Sequence, residues 1–161
     1  MVKAVAATMP VPQVMAYRVI LSAGLLCGVM DLTAAFVNSG LRGTGPVRVL
    51  QYIAAGWLGP ASFNGGFASA ALGFISHFLV AFSAATVFYG ASRKLDFLTE
   101  HAVISGIVYG VMVYFFMSRI VVPLSGAPRP RFSVVSLITG LGIHMVCVGM
   151  PISLTTRWYS R

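Results

Sequence analysis

Polar residues in this chain do not alternate with apolar ones; they collect between long apolar runs. Four runs approach the roughly 20 residues that a helix needs to cross a bilayer. They extend from Tyr17 to Asn38, Phe67 to Gly90, Ala102 to Val122 and Ser133 to Thr156. Turn chemistry separates them: SGLRGTGP at 39–46, Arg93-Lys94 after the second run, and PLSGAPRPR at 123–131 before the fourth. The pattern predicts an all-α, integral membrane four-helix bundle, with residues 1–161 as a single membrane domain. The leading segment MVKAVAATMPVPQVMAYR is polar or broken by Pro10 and Pro12. The run after it is longer than the 7–15 apolar residues of a signal-peptide core, so it is expected to stay as an anchor.

Between the first two spans lies PVRVLQYIAAGWL, residues 46–58, which is too short to cross. Pro46 suits a first helical position. Val47, Leu50, Ala54 and Trp57 share one helical face, with Arg48, Gln51 and Tyr52 on another. The expectation is an interfacial helix, with Tyr52 and Trp57 at headgroup level. Trp158, at the end of the fourth span, is expected to be a second aromatic anchor.

Composition agrees with this pattern. Of 161 residues, 58% are apolar and only 9% charged, against roughly 25% charged in soluble domains. The net charge of +8, from 11 basic and 3 acidic residues, would suggest nucleic acid in a soluble protein. Here the cations sit at span ends and no basic helix interleaved with aromatics exists, so the expected partner is the lipid bilayer and not nucleic acid. Orientation is nearly balanced. An inside N-terminus places Lys3, Arg18, Arg93, Lys94, Arg157 and Arg161 inside, and Arg42, Arg48, Arg119, Arg129 and Arg131 outside, six against five. The short Arg93-Lys94 loop and the basic C-terminus favour both termini in the cytoplasm.

Small residues mark helix contacts in lipid, because apolar helices gain nothing there from hydrophobicity. Gly24, Cys27, Gly28, Asp31, Ala35 and Asn38 share a face of span one. Ser69, Gly73, Ser76, His77, Ala81 and Ala84 do so on span two, and Ser136, Gly140, His144, Cys147 and Pro151 on span four. In span three Gly106 and Gly110 are the packing residues. Gly24-x-x-x-Gly28-Val-Met recurs as Gly106-x-x-x-Gly110-Val-Met, and Gly73-x-x-x-His77 as Gly140-x-x-x-His144. Two copies of a helical hairpin would produce that pattern.

Asp31, His77 and His144 therefore point inward from three spans. At 1.5 Å per residue, Asp31 falls about 5 Å outside the midplane and the histidines within about 2 Å of it. An ionisable residue in a span is a functional candidate, and buried polar groups also serve as glue between helices. The three form an expected buried polar cluster, either structural or proton-responsive. No cofactor is expected, but a carboxylate with two histidines matches a metal triad in composition, and His77 with His144 could ligate haem. Neither has a diagnostic spacing. Arg119 lies nine residues after Gly110, about 180° around an α-helix, so it is expected to face away from the bundle and snorkel to the headgroups. Cys27 and Cys147 read as small buried side chains. No nucleophile elbow, phosphate loop or zinc-protease motif occurs.

From span two onward the chain resembles the YagU-like family of poorly characterised bacterial inner-membrane proteins. The resemblance rests on His77, Phe82-Ser83, Tyr89, Gly106-x-x-x-Gly110, Pro123-Leu124-Ser125-Gly126 with Pro128, and Gly142-x-His144. The first span and Arg119 fall outside it. It implies a multi-pass inner-membrane bundle with cytoplasmic termini and supplies no activity. The expected function is thus a non-enzymatic bundle with an Asp/His core. The alternatives are a haem- or metal-binding membrane subunit, or a small transporter acting as an oligomer; a homo-oligomer or larger membrane complex is open.

Overall fold

A computed structural model describes residues 11–129 and 132–160, with backbone alone for 11–14. Lys3, Pro10, Arg131 and Arg161 lie outside the described residues. The elements are α1 (Val11–Gly40), α2 (Pro46–Leu58), α3 (Gly66–Ser92), α4 (Ala102–Leu124) and α5 (Val134–Tyr159), with a 3-10 segment at Gly59–Asn64 and a single turn at Phe97–Glu100. α1, α3, α4 and α5 are each long and apolar enough to cross a membrane. α1 begins six residues before the apolar run. Pro12 does not block it, because a proline in the first turn removes only an N–H that has no partner there.

α1 and α5 form the centre. The core is Ala23 and Cys27 of α1, Ala81, Ala85 and Phe88 of α3, and Val148 and Ile152 of α5. Each glycine pair makes a different kind of contact. At Gly24 and Gly28 the missing side chains leave room for the rings of Phe82 and Phe78 on α3. At Gly106 and Gly110 the backbone of α4 lies directly on that of α5, against Gly149 and the His144 carbonyl. The small residues thus serve close approach, as helices in lipid require. In both copies of the repeated hairpin, the paired glycines meet the helix that carries the histidine.

α4 and α5 both contain a stretch with five-residue hydrogen bonding, at Met117–Val121 and His144–Gly149. Val122 donates to the Met117 carbonyl and Met150 to that of Met145. Each stretch ends two residues before a proline, Pro123 or Pro151. Proline has no N–H and its ring presses on the carbonyl four residues back, and a widened turn relieves both defects.

α2 crosses the first part of α3. Gly73 admits the Leu50 carbonyl, the Trp57 indole donates to Ser76 Oγ at 3.0 Å, and Gln51 Nε2 donates to the Gly66 carbonyl at 3.1 Å. Its other side is tied to the segment before α5: Tyr52 donates to the Pro128 carbonyl at 2.8 Å and the Gly126 N–H to Gly56 at 3.0 Å. Burial lifts the Tyr52 phenol above its ordinary value of 10. α3 and α4, by contrast, are held by one tyrosine near their joining loop. Tyr109 donates to the Ala84 carbonyl at 2.7 Å and packs on Phe88 with ring centres 5.0 Å apart.

Gly149→Ala and Gly73→Ala, whose new methyl groups meet backbone, should each lower the thermal midpoint in detergent by the equivalent of about 1–3 kcal/mol. Gly142→Ala, which meets nothing within 4 Å, should leave it equal or raised. Equal losses at 142 and 149 would mean that close approach is not what these glycines provide.

Candidate functional site

Asp31, His77 and His144 line one cavity of about 360 Å³. Each is half-buried, which matches their inward helical faces. α2 closes one side with Val49, Tyr52 and Ile53, and α4 contributes Val113, Tyr114, Met117 and Ser118. Apart from these few polar groups the wall is apolar.

The histidines do not bond the carboxylate. His77 Nε2 lies 2.9 Å from the Gly28 carbonyl on α1, and His144 Nδ1 lies 2.9 Å from the Gly140 carbonyl one turn back on its own helix. A carbonyl can only accept, so these nitrogens carry the hydrogens of the neutral rings. That leaves His77 Nδ1 and His144 Nε2 as the basic nitrogens. Each ring is also braced by an aromatic edge, His77 by Phe78 at 5.5 Å and His144 by Tyr114 at 5.3 Å. Among the described residues no side chain hydrogen-bonds Asp31, and no three His, Cys, Asp or Glu groups converge closely enough to hold a metal ion. The expected polar cluster is thus an acceptor and two imidazoles lining a shared space. Gly140, whose carbonyl faces His144, also receives the ring of Tyr114.

Tyr114 is a site residue that the spacing argument did not single out. It lies four residues after Gly110 and so shares the face of the glycine pair, a signal the sequence did contain. Arg119 is exposed and lines a different cavity, between the end of α4 and the start of α5. Trp57 and Trp158 are both exposed. Cys27 is buried and Cys147 half-buried, both as free thiols.

A cleft between α3 and α4 adjoins the Asp/His cavity and shares Val80, Ala84, Val113 and Met117 with it. Its remaining wall is almost wholly apolar, including Leu79, Val87, Met112 and Phe116, of which all four are exposed. No protein-family model, curated protein or solved structure matches this chain.

Among the described residues no side chain pairs with Asp31, which lines the cavity, so its carboxyl group adds no link between helices there. Asp31→Leu and Asp31→Asn should keep or raise the thermal midpoint. A loss of more than about 1 kcal/mol for the leucine variant would restore a role as glue between helices.

Proposed function

We propose that this protein is a binding bundle and not a catalyst. It holds a small lipid-soluble molecule in the Asp31/His77/His144 cavity, and protonation in that cavity controls occupancy. The observation that carries this reading is the pairing of three ionisable groups without ion partners and an otherwise apolar cavity bordering a lipid-facing cleft. A volume of about 360 Å³ falls in the range of small-molecule sites, roughly 300–1,000 Å³, which also combine apolar walls with a few placed polar groups. A molecule dissolved in the bilayer would enter between Val80 and Met117, with its polar end toward Asp31 and the histidines. The other titratable groups on the wall are Cys27, Tyr52 and Tyr114.

Purified protein should bind the polarity-sensitive dye Nile red with an affinity that changes between about pH 5 and 8, where histidine ordinarily changes charge. Val80→Trp, which narrows the entry, should weaken binding about tenfold, and Val87→Trp, in the cleft away from the Asp/His cavity, should not. The pH step should flatten in His77→Gln/His144→Gln. Equal binding by both tryptophan variants would refute the reading. A Soret band in the purified protein would replace it with haem ligation by His77 and His144.

The same reading places the protein in the bacterial inner membrane with both termini cytoplasmic. The YagU-like resemblance and the Arg93-Lys94 loop support this. In a chain freed of Cys27 and Cys147, impermeant thiol reagents applied outside the cell should label Leu124→Cys and not Lys94→Cys or Ser160→Cys. Outside labelling of all three would reject the topology.

A further inference from the structure

A second cavity, of about 400 Å³, lies between the outer ends of α4 and α5 and is lined by Arg119 and Arg129 together with Ser133 and Ser136. Its charge is unbalanced. The chain has three acidic residues. Asp96 and Glu100 precede α4, and Glu100 is 19 positions before Arg119, on the order of 25–30 Å along a helix. Asp31 faces the other cavity. Among the described residues no guanidinium is hydrogen-bonded to a carboxylate; the recorded bonds of Arg129 and Arg42 go to neutral oxygens. Arg129 donates to the Pro123 carbonyl at 3.2 Å, which fixes the group and leaves most of its five N–H donors free. Arg42 reaches the same place, donating to Ser136 Oγ at 3.2 Å.

The start of α5 adds to this field. Ser133 is extended and makes no side-chain cap, and the first helical bond runs from Leu137 N–H to its carbonyl. The N–H groups of the first turn therefore have no partner within the helix, at the positive end of a long dipole. Beside these donors the wall is apolar, formed by Val122, Phe132 and Leu137.

Two forked cations, open backbone donors and hydroxyls around a space with an apolar side suit a phosphate ester joined to an apolar body. We propose that this cavity is a specific phosphate site whose ligand is the headgroup of an anionic phospholipid. A loose snorkelling contact would need neither the second arginine nor a defined stoichiometry. The site does not depend on what occupies the Asp/His cavity.

The test uses the full chain, delipidated in uncharged detergent and titrated with phosphatidylglycerol, diacylglycerol, glycerol 3-phosphate or inorganic phosphate, with bound mass read by native mass spectrometry. One phosphatidylglycerol should bind saturably, and diacylglycerol should not. Arg119→Gln and Arg129→Gln should each weaken binding about tenfold, the loss typical of one charge-assisted hydrogen bond. Arg129 lies in an exposed loop, so its variant tests the site even if Arg119→Gln fails to fold. Arg48→Gln, whose guanidinium sits over the Phe63 ring 4.1 Å from its centre, should bind as the parent does. Glycerol 3-phosphate binding as tightly as the lipid would assign the site to a soluble phosphate ester and overturn the lipid source. Equal binding of diacylglycerol, or equal loss in Arg48→Gln and Arg129→Gln, would overturn the phosphate site itself.

Discussion

The bundle depends on how closely α5 approaches α4. At Gly110 and Gly149 the two backbones touch with no side chain between them, and at Gly106 the Ser153 hydroxyl and the α5 backbone both lie against α4. In lipid this contact has no hydrophobic driving force behind it, only dispersion and the polar groups it brings together. Its closeness draws the remaining helices into place. α1 packs against α3 through aromatic rings received by Gly24 and Gly28, a thicker contact than the one between α4 and α5. The two hairpins thus have unequal spacings. α3 and α4 join near their loop through Tyr109 and border a cleft beyond it. The Asp/His cavity lies among α1, α3, α4 and α5, and α2 covers one side of it.

The prolines shape the same region. Pro123 and Pro151 each follow a widened turn, and both turns supply cavity wall: Met117 and Ser118 from α4, His144 and Val148 from α5. Such turns re-aim side chains as well as relieve the backbone. His144 begins the widened turn of α5 and bends back to Gly140, while Arg119 lies in the middle of the one in α4.

The four spans, the crossing helix and the inward faces were legible in the sequence because each rests on one strong signal: apolar length, a proline at a helix start, or small residues at spacings of three and four. The span ends were less so. α5 runs on to Tyr159, three residues beyond the expected Thr156, because Arg157 and Trp158 continue the helix into polar surroundings without breaking it. The partners of the buried polar groups were not legible. His77 takes a carbonyl three residues before Asp31, in place of the carboxylate itself, and nothing in the spacing separates those outcomes. Arg119 is a different case. Counting 100° per residue places it opposite Gly110; it lies within the widened turn before Pro123, is exposed, and lines a cavity together with Ser136 and Leu137.

The two cavities are neighbours. Tyr114, Ser118 and Val122 line both, so one layer of side chains separates the Asp/His space from the arginine end. Tyr114 is the most constrained of these, since its ring packs on Gly140 and meets His144 edge-on. The physical link between the two ends of this small protein is therefore a single layer of side chains, in which the Tyr114 ring is held between Gly140 and His144.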